Sequence, residues 1–142
     1  LASLGANVTL IERSKIMHNL LQEGISEAKS FGGEISGIIS RMNLIFGDSK
    51  FILPDLLPEV ILIDTMYKDR KKTALVKNDM RLVRDIVGSD SDYIQLIDVA
   101  LNQASNRVVI KQPRYADQID NIKPYSHQIL GKTIRYDVYM TI

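Results

Sequence analysis

Val60-Ile61-Leu62-Ile63 is a run of four apolar residues, three of them β-branched, that ends on Asp64. It does not alternate with polar residues, so a strand built from it is apolar on both faces. Such strands belong to parallel sheets covered by helices, because an antiparallel sheet with one wet face would expose half of their side chains. A second run, Val8-Thr9-Leu10-Ile11, ends on Glu12 in the same way. Between them the pattern changes to a helical one. Ser14 is placed to cap a helix reaching about Ser30, with Ile16, Met17, Leu20, Leu21, Ile25 and Ala28 on one face. Phe31-Gly32-Gly33 breaks it, and Ile35, Ile38, Ile39 and Met42 carry the spacing of a short second helix.

The same alternation continues. Asn43 to Phe46 reads as a strand followed by Gly47-Asp48-Ser49, and Pro54 and Pro58 frame a connector. A helix is expected from Ala74 to Val87, stopped by Gly88, and another starts at Ser91 or Asp92 with Tyr93, Leu96, Ile97, Ala100 and Leu101 inward. Arg107 to Lys111 is a fourth strand, closed by Pro113. Ser126 to Leu130 and Ile134 to Ile142 flank Gly131-Lys132, a two-residue hairpin turn with Gly first. In the last strand Ile134, Tyr136, Val138, Met140 and Ile142 share one face, and Arg135, Asp137, Tyr139 and Thr141 the other. The expected fold is α/β: a Rossmann-like, mostly parallel sheet with a C-terminal antiparallel hairpin, in one domain over residues 1–142.

Composition narrows the function classes. The 142 residues contain no Cys, which removes disulfides, thiolate metal sites and a Cys nucleophile, and only two His, so no metal is expected. No run of eighteen apolar residues is present, so no membrane partner is expected. The net charge is +1, too small for a bulk argument about nucleic acid. The opening Leu-Ala-Ser-Leu-Gly reads as the last turn of a helix, without an initiator Met or a signal peptide, and predicts that the chain starts inside a domain.

In open α/β sheets ligands bind beyond the carboxyl ends of the strands. Glu12, Asp48 and Asp64 are all expected there, each just after its strand. Each also has an ordinary structural reading. Glu12 can pair with Arg13 in solvent, Asp48 can serve the Gly-Asp-Ser turn, and Asp64 can cap a helix. Lys68 to Arg84 holds seven basic and two acidic residues, a local charge of +5, beside Asp64. That patch suits phosphate contact or is a solvated face. Lys111, Arg114 and Tyr115 extend the same rim more weakly.

The strand order, the rim carboxylates and the final hairpin resemble a class I S-adenosylmethionine-dependent methyltransferase. Asp64-Thr65-Met66-Tyr67 resembles the Asp-Pro-Pro-Tyr motif of enzymes that methylate exocyclic amines of bases. Together with Arg70-Lys71-Lys72-Thr73-Ala74-Leu75-Val76-Lys77 and Met80-Arg81 it resembles the ribosomal small-subunit methyltransferase J family, as do Val8 to Ser14, Gly47-Asp48-Ser49, Val108 to Tyr115 and Gly131 to Tyr139. The resemblance covers nearly the whole chain. Two departures stand out. Thr65 replaces the usual Pro, which loses preorganisation of about 0.4–1 kcal/mol. The family's first strand and Gly-rich cofactor loop are missing, and no Gly-x-Gly-x-x-Gly occurs.

The resemblance implies methyl transfer from S-adenosylmethionine to the guanine N2 amine of bacterial small-subunit ribosomal RNA, in the cytoplasm, with the RNA or the ribosomal subunit as partner. It implies catalytic roles for Asp64, Thr65 and Tyr67: Asp64 and the Thr65 carbonyl accept from the amine, and Tyr67 stacks on the base. It implies cofactor contacts at Glu12, Arg13, Asp48 and Asp64, with Glu12 on the ribose and Asp48 near the adenine. RNA contacts fall to Arg70, Lys71, Lys72, Lys77 and Arg81. The 142 residues alone are expected to be inactive. Two other readings stay open: an RNA-binding remnant without catalysis, and a different Rossmann-like enzyme, such as a nucleotide-dependent oxidoreductase, which Glu12 alone would permit.

Overall fold

The computed structural model describes residues 1–64 and 92–141. The expected helix at Ala74 to Val87 lies outside these residues. The chain divides into two compact units, Leu1–Ser49 and Lys50–Ile142.

In the first unit a single 3-10 turn, Ala2–Leu4, ends at Gly5, whose φ of 94° is open to glycine. Strand β1 (Val8–Glu12) then leads through helices α1 (Lys15–Ser30) and α2 (Gly33–Ile39) to β2 (Met42–Phe46). The two strands pair in parallel, Val8 with Met42 and Glu12 with Phe46. Ser14 caps α1 as expected, its hydroxyl accepting from the Met17 N–H at 3.4 Å. The inward stripe is narrower than the spacing suggested. Met17, Leu21, Ile25 and Ala28 are half-buried, whereas Ile16 and Leu20 are exposed. Met42 starts β2 rather than extending α2.

The second unit opens with a correction. Pro54 does not frame a connector but sits inside α3 (Ser49–Leu56). A helix this short loses one hydrogen bond to the proline, and burial of Leu53 offsets it. Leu57, at φ 46°, turns the chain out of the helix, and Pro58 follows. Strand β3 (Val60–Ile63), helix α4 (Tyr93–Gln103) and strand β4 (Arg107–Pro113) come next, then the hairpin β5 (His127–Leu130) and β6 (Ile134–Met140). The sheet order is β3-β4-β6-β5, with β3 and β4 parallel and the other pairs antiparallel. The hairpin therefore joins β4 through its second strand. Buried Ile61, Ile63, Val108 and Ile110, with Ile97 and Ala100 of α4, form the apolar core. Among the described residues of this unit, Val60 and Leu62 are exposed while Ile61 and Ile63 are buried.

The hairpin turn also differs from expectation. Leu130 pairs with Arg135, and the Gly131 N–H donates to the Ile134 carbonyl at 2.8 Å. The two central residues are thus Lys132 and Thr133, and Gly131 ends the ladder. Glycine is needed there for closeness, since a Cβ would stand 3.0 Å from the Ile134 carbonyl oxygen.

On β6 the alternation holds, but the polar face is the more deeply buried one. Arg135 is 7% exposed and Asp137 1%. Their side chains form a fork: Nε donates to Oδ1 at 2.9 Å and Nη2 to Oδ2 at 3.1 Å. Gln128 Nε2 on β5 donates to the same Oδ1 at 2.7 Å. The remaining guanidinium protons go to the loop after β4, where the Arg114, Ala116 and Asp117 carbonyls accept at 3.2, 2.6 and 3.4 Å. All five donors are engaged, so the buried charge is both neutralised and hydrogen-bonded. Beside it, burial pushes the Tyr139 hydroxyl up to about 12, with the negative charge of Asp137 adding to the effect. Tyr139 is therefore neutral at any working pH.

Removing one partner of such a pair strands the other charge. Arg135→Met is expected to lower the unfolding free energy of the full-length protein by about 3–5 kcal/mol. The double variant Arg135→Met/Asp137→Leu should recover most of that loss, because no buried charge is left. Urea unfolding of the three proteins checks both statements, and a single-variant loss under about 1 kcal/mol would show that the pair does not carry the hairpin.

Candidate functional site

The carboxyl ends of β1 and β2 lie side by side, because Glu12 pairs with Phe46. The chain ties them together at once: the Gly47 N–H donates to the Glu12 carbonyl at 3.0 Å. Gly47 has φ 149°, a conformation that favours glycine, and it directs the chain to Asp48, which immediately precedes α3. Glu12 and Asp48, both half-buried, are therefore brought to one edge of the two-stranded sheet. Arg13 follows Glu12 and is exposed.

The Glu12 carboxylate is held rather than loose. Its Oε1 accepts from the Ser14 N–H at 2.6 Å, at the start of α1. This is the ordinary structural role for a strand-end acid, and it leaves acceptor positions of the carboxylate open. An ionised carboxylate has about four acceptor positions. The Ser14 bond fixes the orientation and takes one of them, so the group suits a vicinal diol such as the ribose of an adenosine. The edge also carries the His18 ring, packed edge-on to Phe46 with centroids 5.3 Å apart.

In the second unit Asp64 directly follows β3. Ile63 pairs with Ile110, so Asp64 comes next to Lys111 on β4. Lys111 Nζ donates to Asp64 Oδ2 at 2.8 Å, with the side chains 34% and 55% exposed. The carboxylate is thus oriented by a cation from the neighbouring strand and still reaches solvent. Sequence reasoning treated Lys111 only as an extension of a basic rim. The contact is fixed by strand register, each residue following the last matched position of a parallel pair, and the local sequence carries no signal of it.

Thr65, Tyr67, Arg70, Lys71, Lys72, Lys77 and Arg81 lie outside the described residues. Sequence reasoning missed the Arg135–Asp137–Gln128 cluster. Its trace in the sequence is an Arg and an Asp two positions apart on one strand face, which periodicity alone reads as a wet face. Gln112, opposite Arg135 in the ladder, belongs to the same buried layer at 2% exposure. Among the described residues no group of three His, Asp or Glu could hold a metal. Among them, too, no helix is long and apolar enough to cross a membrane.

Comparison with known proteins gives a consistent result. The family of SAM-dependent methyltransferases matches residues 1–141. The chain is 53% identical over 140 residues to the ribosomal RNA small subunit methyltransferase J of Brucella anthropi, covering 99% of this chain and 68% of that protein. It is 54% identical to the protein of the same name from Agrobacterium fabrum, again over 140 residues, covering 99% of this chain and 67% of the relative. Among solved structures, a SAM-dependent methyltransferase from Neisseria gonorrhoeae superposes with a TM-score of 0.76 at 30% identity, covering 99% of this chain and 55% of that one. The chain thus spans about two-thirds of the length of these curated relatives and about half of the solved structure.

The Lys111–Asp64 pair is partly solvated, so its value lies in orientation more than in stability. A double-mutant cycle with Lys111→Met and Asp64→Asn is expected to give a coupling below about 1 kcal/mol in urea unfolding. A coupling of several kcal/mol would mean that the pair is a fold element and not an oriented, available carboxylate.

Proposed function

The chain belongs to the SAM-dependent methyltransferase family, in its ribosomal small-subunit methyltransferase J branch, and from that premise we propose that it transfers a methyl group to the exocyclic N2 amine of a guanine in small-subunit ribosomal RNA. S-adenosylmethionine is the cofactor of the family. The observation that carries the reading is Asp64: a half-exposed carboxylate at the end of β3, oriented by Lys111, at the position matching the family's Asp-x-x-Tyr motif.

When bound, S-adenosylmethionine supplies the methyl group on a sulfonium, which is a good leaving group. The chain's task is then to bind, orient and relieve the amine. A guanine N2 lone pair is delocalised into the ring and is a poor nucleophile. Asp64 accepts from the amine hydrogens, helping the nitrogen rehybridise and aiming it at the methyl carbon, and Lys111 keeps that acceptor in place. Thr65 contributes its carbonyl, and Tyr67 stacks on the extruded base. Glu12 accepts from the ribose hydroxyls, with Arg13 beside it, and Asp48 accepts from the adenine amine. Arg70, Lys71, Lys72, Lys77 and Arg81 contact RNA phosphates. The residues act within a single methyltransferase domain of a bacterial cytoplasmic protein.

One observation favours a second reading for residues 1–142 taken alone: they include no Gly-x-Gly-x-x-Gly for the methionine end of the cofactor. On that reading they form an RNA-binding piece without activity of its own. A calorimetric titration of S-adenosylmethionine into the isolated 142 residues would then show no measurable binding, and micromolar affinity would refute it.

In the full-length protein, Asp64→Ala is expected to reduce single-turnover methylation by more than about tenfold while leaving cofactor affinity within a few-fold. Retention of more than about a tenth of the rate removes Asp64 from the mechanism. Glu12→Ala should weaken cofactor binding instead, and an unchanged dissociation constant would count against the ribose role. Charge reversal at Arg70, Lys71 and Lys72 should flatten the salt dependence of RNA binding, by roughly 0.7–0.9 in log–log slope for each phosphate no longer neutralised. An unchanged slope would identify the run as a solvated face.

A further inference from the structure

The loop after β4 is held with more care than a surface turn needs. The Ala116 N–H donates to the Pro113 carbonyl at 3.0 Å, closing a turn with Arg114 and Tyr115 at its tip. The Arg114 N–H donates to the Thr133 carbonyl at 3.0 Å, and its side chain donates from Nη1 to the Gly131 carbonyl. From beneath, three of the five donors of buried Arg135 reach the carbonyls of Arg114, Ala116 and Asp117. A buried ion pair carries a desolvation cost of several kcal/mol, and here it rigidifies one short turn. At the tip of that turn the Tyr115 ring is 82% exposed. The Arg114 guanidinium lies 5.7 Å from its centroid, within the range of a cation–π contact. An aromatic ring so exposed adds little to folding. Carried in water on a backbone held in this way, with a cation beside it, it has the form of a stacking platform.

Its location fits a substrate contact. Lys111, which orients Asp64, is four residues earlier on β4. The two Cα atoms are therefore at most about 14 Å apart. Tyr115 projects beyond the same carboxyl end of β4 toward which Asp64 follows β3.

We infer that Tyr115 is a further RNA contact, on which a nucleotide flanking the target guanine stacks, with Arg114 supplying positive charge beside the ring and Arg135 acting as the positioning residue that fixes the turn. This inference rests on the reading of the chain as an RNA methyltransferase and adds a site to it. A stacked base contributes enough that removing its platform weakens binding by at least about fivefold. Any base has a π-face, so the contact holds the strand in register without choosing its sequence.

Tyr115→Phe and Tyr115→Leu in the full-length protein test the inference, because a side chain this exposed can be changed without disturbing the fold. Binding of a small-subunit ribosomal RNA fragment, the KM and kcat of its methylation, and the S-adenosylmethionine dissociation constant are measured for each. The expected result is that Phe behaves as wild type. Leu should raise the RNA dissociation constant and KM at least about fivefold, with kcat and cofactor affinity within twofold. Equal RNA binding by all three proteins overturns the stacking role while leaving the methyltransferase reading intact. An equal loss in Phe and Leu also overturns it, since the hydroxyl and not the ring would then be at work. A wild-type protein that binds RNA in a Tyr115-dependent way but never methylates it overturns the enzymatic reading and keeps the platform. A wild-type protein that binds no RNA overturns both.

Discussion

The Arg135–Asp137 fork is the interaction on which the second unit is organised. Its five guanidinium donors reach a carboxylate on the same strand and three carbonyls of the loop after β4. The carboxylate in turn accepts from Gln128 on the edge strand. One buried charge pair therefore links β5, β6 and the end of β4. Apolar packing alone would hold these strands together, but it is non-directional and would leave the loop free to choose among conformations. The forked geometry of a guanidinium selects one. Raising the Tyr139 hydroxyl to about 12 is a by-product of the same burial and of the Asp137 charge.

The strand-end carboxylates are similarly committed before any ligand arrives. Glu12 accepts from the Ser14 N–H, and Asp64 from Lys111. In both cases a structural bond and a functional role are compatible, because a carboxylate has more acceptor positions than one donor can fill. Such bonds lock the orientation of groups that would otherwise rotate freely, which is how a site is preorganised. The usual contest between a capping and a binding role is, for these two residues, a false choice.

Much of the fold was legible in the sequence. Parallel pairing followed from unalternated apolar runs, and the first helix from Ser14 and a helical stripe, because both signals are local and repeat with a fixed period. The misreadings occurred where a local rule met a tertiary term. Pro54 signals a break, yet burial of Leu53 keeps the helix going through it. Gly131 signals the turn itself, yet it serves a close backbone approach one position earlier.

The candidate site divides along the same line. The sequence by itself determined which residues are candidates for the chemistry: Glu12, Asp48 and Asp64 after apolar runs, and the run of basic side chains after Asp64. Their types and spacing are covalent facts, and the resemblance they carry is a property of the chain alone. Only the tertiary structure decided that Lys111 is the partner of Asp64, since strand register fixes that neighbour across 47 residues of sequence. Only it decided that the polar face of β6 is buried. Binary patterning would turn Ile134 and Tyr136 inward and leave Arg135 and Asp137 in water. The fold inverts this because the Arg135 charge finds its counter-charge in Asp137 and each guanidinium donor an acceptor, and that complementarity exists only once the hairpin, β4 and its loop have come together.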